Sequence, residues 1–185
     1  PFFDPKADDA ANLGAIGRVI GHEMSHGFDD QGAQFDKDGN QNDWWTAEDK
    51  ANFNTRTKVL ADYFSTVEAV PGRKINGQLT LGENIGDNGG LNIAFRALQN
   101  TLKVQDLGGK DGLTPEQRFF LSWARGWAAN MRPEYIEMSI TTDPHSPSSA
   151  RVNAALPHTD AWYKAFNVKK GQKLFIPANK RARIW

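Results

Sequence analysis

A chain of 185 residues can bury roughly 70% of the surface its unfolded form exposes, and its length suits one domain or a tight pair of subdomains. Its 22 Lys and Arg balance 22 Asp and Glu, which argues against a dedicated nucleic-acid binder and against a polybasic membrane-surface protein. Cysteine is absent, so disulfide frameworks, thiolate zinc sites, iron–sulfur clusters and cysteine nucleophiles are excluded.

In chain order, Pro1-Phe2-Phe3 shows no initiator Met and no secretory signal, and reads as the start of a piece of a longer protein. No apolar stretch reaches the roughly 18 residues of a membrane span. Leu13, Ile16, Val19, Ile20 and Met24 have helical spacing and predict a helix from Asn12 to Phe28. Gln34-Phe35 suggests a short strand, and Asp36 to Asp43 a polar turn. Thr46 with Asp49 opens a second helix through Val67, ended by Pro71-Gly72. A third helix runs from about Thr80 to Leu102 despite Gly82, Gly86, Gly89 and Gly90. Each glycine costs about 1 kcal/mol against alanine, so close backbone approach or a kink is expected there. Thr114-Pro115-Glu116-Gln117 is a capping-box start for a helix through Met131 that stops at Pro133. Short helices follow near Ser149 to Leu156 and Asp160 to Phe166, and the Lys/Arg of the tail read as solvated surface.

The chemistry concentrates in His22-Glu23-Met24-Ser25-His26. On a helix this H-E-x-x-H places two imidazoles on one face, able to converge on one zinc, with Glu23 beside them to take a proton from water. A surface helix with two solvated histidines is the competing reading. Zinc needs a third protein ligand. The metzincin position holds Gly32, so that subclass is rejected. Glu83 is the candidate, with Asp87 one turn later as an acceptor behind a ligand histidine. Thr80 and Glu83 also have capping-box spacing, and both readings of Glu83 stand at this point. Asp36-Lys37-Asp38-Gly39-Asn40 resembles the start of an EF-hand, but Gln41 and Ala47 break the pattern.

The segments His22 to Asp30, Asp43-Trp44-Trp45 and Leu81 to Gly90 resemble the neprilysin and endothelin-converting enzyme family. Arg132-Pro133-Glu134-Tyr135, Asp143-Pro144-His145-Ser146-Pro147, Arg151 and Arg183-Ile184-Trp185 continue the resemblance in order. It implies a mainly α, thermolysin-like (gluzincin) catalytic lobe with at most a few short strands. Residues 1–185 would be the C-terminal zinc-binding domain of such a peptidase, without its N-terminal part.

By resemblance, one Zn2+ is held by His22, His26 and Glu83, and Glu23 is the general base. Asp87 supports a ligand histidine. His145, held by Asp143, stabilises the oxyanion. Arg151 binds a substrate carbonyl, and Phe2, Val19 and Trp127 line the pocket for the residue after the scissile bond. Arg18 departs from the apolar residue expected there. The implied reaction is hydrolysis of short peptides on the amino side of hydrophobic residues. A zinc-binding but inactive fragment, lacking an upstream substrate-aligning strand and lobe, is the alternative. A helical interaction module is a third reading. The implied partners are peptide substrates and the missing lobe, with no nucleic acid and no membrane contact by this segment. The family is mostly extracytoplasmic, with some cytoplasmic bacterial members. The lack of cysteines and of N-x-[ST] sites leans towards a bacterial envelope or periplasm.

Overall fold

The computed structural model describes residues 2–185, so Pro1 of the Pro-Phe-Phe segment lies outside the described residues. Helices dominate, and the one sheet among the described residues is a two-stranded hairpin. The mainly helical expectation therefore holds.

The first helical run is segmented: α1 (Asp9–Asn12), a π turn (Leu13–Gly17), α2 (Arg18–Ser25) and a 3-10 turn (His26–Phe28). The π turn lays Gly14 against the backbone at Phe119, whose carbonyl oxygen a Cβ there would meet at 2.1 Å. Burial on α2 departs from the apolar stripe. Ile20 and Met24 are exposed, whereas Arg18, Gly21, His22 and Ser25 are buried. The inward face is polar because it carries a site rather than core.

Phe35 makes only an isolated bridge to Gln41 around the polar turn. Thr46 and Asp49 form the full capping box of α3 (Ala47–Phe64). That helix stops at Phe64, short of Val67. Pro71-Gly72 instead turns the hairpin of β1 (Glu68–Val70) and β2 (Arg73–Lys74), with Gly72 at φ +75°.

The central element is α4 (Leu81–Leu102), buried almost all round from Asn84 to Leu91. Its first half joins Phe53, Leu60 and Phe64 of α3 in one core. Its second half packs Leu91, Ala94 and Leu98 against Phe119, Phe120 and Trp123 of α5 (Pro115–Gly126) in another. Thr114 and Gln117 cap α5 reciprocally. Against expectation, α5 ends at Gly126, and Pro133 opens a helix rather than stopping one. Its fixed φ suits the first turn of α6 (Pro133–Thr142).

α7 (Ser148–Asn153), a 3-10 turn (Leu156–His158) and α8 (Asp160–Phe166) complete the helices around the core. The tail is not simply solvated. Ile176, Ala182 and Ile184 are buried, and Arg181 and Arg183 clamp Asp160 at 2.6 Å each.

Candidate metal centre

α2 and α4 cross where their side chains are smallest. A Cβ on Gly90 would stand 2.4 Å from the Arg18 carbonyl oxygen, and one on Gly86 2.8 Å from the His22 ring. The glycines of α4 thus bring its backbone against α2, and Glu83 and Asp87 rise beside the two histidines.

His22 and His26 lie one turn apart, with Nε2 atoms 3.0 Å from each other. Glu83 Oε2 is 3.2 Å from His22 Nε2, and Oε1 is 3.5 Å from His26 Nε2. The capping alternative for Glu83 does not form: Thr80 Oγ1 donates to the Asn76 carbonyl and accepts from Asn84 Nδ2.

A carboxylate stands behind each histidine. Asp87 Oδ1 is 3.0 Å from His22 Nδ1, and Asp29 Oδ2 is 2.7 Å from His26 Nδ1. In the tautomer that binds a metal, a proton on each Nδ1 serves these bonds and both Nε2 lone pairs face the Glu83 oxygens. Acceptors crowded this way repel unless a cation lies among them. Neighbouring ligands of a tetrahedral zinc lie roughly 3.3 Å apart, from bond lengths near 2.0–2.2 Å. The observed 3.0, 3.2 and 3.5 Å straddle that spacing, so the donor set fits zinc.

Burial alone would lower the His22 pKa, but bonds to Asp87 and Glu83 outweigh it and raise it to about 9. For Asp87, burial pushes up, and the bonds from His22 and Arg151 win, holding it below the usual carboxylate range. Glu83 behaves likewise: burial is outweighed by His22, His145 and Arg151. Arg151 grips Asp87 with Nε at 2.7 Å and Nη2 at 2.8 Å, and reaches Glu83 Oε2 at 3.4 Å.

His145 comes to the same place from the loop between α6 and α7. Its Nε2 is 3.2 Å from Glu83 Oε2, while Asp143 Oδ1 accepts from its backbone N–H and its Nδ1 at 2.9 and 2.7 Å. The backbone bond from His145 is the largest cause holding the Asp143 pKa down. Glu23 points outward from α2, exposed and without a side-chain hydrogen bond among the described residues.

Phe2 and Trp127 gather around Arg18, whose Cζ lies 5.2 and 4.5 Å from their ring centres, while Val19, the next residue on α2, is half-buried. Burial lowers the Arg18 pKa to about 10. Trp127 also stacks on Arg151, 4.0 Å from its Cζ.

Sequence reasoning missed two supports. Asp29 stands three residues after His26, and that spacing is the signal for the contact. Its Oδ1 also accepts from the Gln31 and Gly32 amides at 2.8 and 2.7 Å, which fixes the carboxylate. Ser146 Oγ donates to Asn84 Oδ1 at 2.9 Å, in a buried bond that ties the His145 loop to α4. No local pattern foretells that contact.

The profile of peptidase family M13 matches residues 1–182. Neprilysin of Homo sapiens is 39% identical over the whole chain, which covers 25% of that protein. Neutral endopeptidase of Lactobacillus helveticus is 40% identical over the whole chain and 27% of its own length. A crystal structure of Mycobacterium tuberculosis zinc metalloprotease ZMP1 in complex with an inhibitor aligns with a TM-score of 0.95 at 46% identity. That alignment covers 100% of this chain and 29% of that one. The chain thus spans about a quarter of the length of these curated relatives.

Proposed function

The chain belongs to peptidase family M13, and on that premise we propose that it carries the site of a zinc metallopeptidase that hydrolyses peptide bonds of short peptides. The observation that carries this reading is the meeting of His22, His26 and Glu83, with a carboxylate behind each histidine. Zinc held by these three residues supplies Lewis acidity towards water and the scissile carbonyl.

The chain's own residues do the rest. Glu23, one position along α2 from a ligand histidine, accepts the proton of the attacking water and returns it to the leaving amine. No covalent acyl-enzyme is needed. His145, oriented by Asp143, turns Nε2 towards the developing oxyanion as a hydrogen-bond donor, a role typically worth about 3 kcal/mol. Arg151 fixes Asp87 and Glu83 through Nε and Nη2, which leaves Nη1 for a substrate carbonyl. Cleavage falls before a residue whose side chain enters the space walled by Phe2, Val19 and Trp127. Resemblance to the family gives an apolar residue there.

The test is peptide hydrolysis by the zinc-loaded protein and by Glu23→Gln. A loss of about 10²–10⁴-fold with zinc retained is expected; equal rates would overturn the role of Glu23. A second reading, metal binding without turnover, is favoured by the relatives' much greater length and by the exposure of Glu23 and His145. Stoichiometric zinc with no cleavage of any peptide would select it.

A further inference from the structure

Arg18 is a buried cation without a counterion. It is 2% exposed, forms no ion pair among the described residues, and leaves Nε and Nη2 without an acceptor there. Asp87, the carboxylate whose charge acts on it, is taken up by Arg151 and His22. Instead Arg18 sits in an aromatic cage, its Cζ 5.2, 4.7 and 4.5 Å from the ring centres of Phe2, Trp123 and Trp127. Cation–π contact offsets part of the cost of burial but accepts no N–H in the guanidinium plane. Trp127 Nε1 is a third buried donor without a partner among the described residues.

The cage is built to hold this cation. A Cβ on Gly126 would come within 2.8 Å of Arg18 Nη2, so the glycine and the arginine accommodate one another. It also adjoins the candidate metal centre. Arg18 lies one turn before His22 on α2, and the Trp127 ring touches both its guanidinium and that of Arg151, which contacts Glu83.

Nε and Nη2 are the adjacent pair that grips a carboxylate side-on. Three aromatic rings around a guanidinium suit a side chain with an apolar stem and an anionic tip. We infer that Arg18 is a specificity-determining residue that takes the carboxylate of an acidic residue, glutamate above all, following the scissile bond. This rests on the peptidase reading above and replaces the purely apolar preference that the family resemblance gives.

The test uses the zinc-loaded enzyme and four peptides that differ only after the scissile bond: Glu, Gln, Leu and Phe. Glu should exceed Leu and Gln in kcat/KM by at least about tenfold. The Glu-to-Leu ratio should fall by a similar factor in Arg18→Met, and in Gly126→Val, whose side chain displaces the guanidinium. A wild-type preference for Leu or Phe, or a ratio unchanged in both variants, overturns the inference while leaving the peptidase reading intact. Cleavage of none of the four sinks the peptidase reading instead. The inference is then decided by titration calorimetry of Glu-Ala amide against Leu-Ala amide. Tighter Glu binding that Arg18→Met abolishes supports it, and equal affinities overturn it.

Discussion

At His22 the two ring nitrogens face different demands, Asp87 behind and the metal position in front. Without metal, the raised pKa of about 9 means that the ring holds a proton through neutral pH. Zinc taken up near pH 7 must displace it, so roughly one proton per zinc should be released at His22. Calorimetry in buffers of different ionisation enthalpy reads this directly, and zero release would contradict it. The same shift sets a stability window. A folded pKa above the ordinary 6.5 stabilises the metal-free fold fully below about pH 6.5, and the contribution disappears as pH rises through about 9. The midpoint of thermal unfolding in chelator should therefore drop between pH 6.5 and 9, and His22→Gln should flatten that drop. Behind the ring, Asp87→Asn and Asp29→Ala should each weaken zinc binding about 10–100-fold, measured by competition with a chromophoric chelator. An unaltered affinity would demote the carboxylate concerned to packing. The two histidines and Asp87 were legible because helical spacing alone places them. Asp29 was not, because its contact arises after α2 has ended and the chain has turned.

The helix pair α2 and α4 is where element geometry becomes chemistry. Gly90→Ala would press a methyl against the Arg18 carbonyl and Gly86→Ala one against the His22 ring, at the separations given above. Overpacking of this kind costs about 1–3 kcal/mol. Both variants should lower the unfolding midpoint, and Gly86→Ala should also weaken zinc binding. As a contrast, Thr114→Ala removes the cap of α5 and should cost about 1 kcal/mol with zinc affinity unchanged. The capping boxes of α3 and α5 were legible because they are local. The glycines of α4 gave a correct signal of close approach without naming the partner. The misreadings have one physical root: a pattern specifies a local conformation, not which neighbour it meets. Pro133 suits the first turn of a helix as well as it breaks one. Pro71-Gly72 makes a turn whether the preceding helix reaches it or a strand intervenes. The helical spacing of Leu13 to Met24 located the helix but misjudged its buried face, since α2 turns Arg18 and His22 inward.

Over the whole molecule, the C-terminal tail closes the fold through a histidine that is not one of the candidate metal ligands. His158 is 1% exposed, its Nδ1 accepts the Ala182 amide at 2.9 Å, and burial pushes its pKa down to about 4. A depressed folded pKa leaves stability intact above about pH 6.5 and erodes it as pH falls towards 4, by roughly 3 kcal/mol at most. Urea midpoints at pH 7 and pH 4.5 should differ less in His158→Gln than in the wild type; an identical acid loss would remove the histidine from that role. The tail's basic residues read as solvated because Asp160, which Arg181 and Arg183 clamp, lies more than a helix away in sequence. Counting zinc per chain after dialysis tests whether the two helices bring His22, His26 and Glu83 together to hold one zinc. Close to one zinc is expected in the wild type and in Glu23→Gln, with loss of most of it in Glu83→Ala. Zinc absent from the wild type, or undiminished in Glu83→Ala, would contradict it.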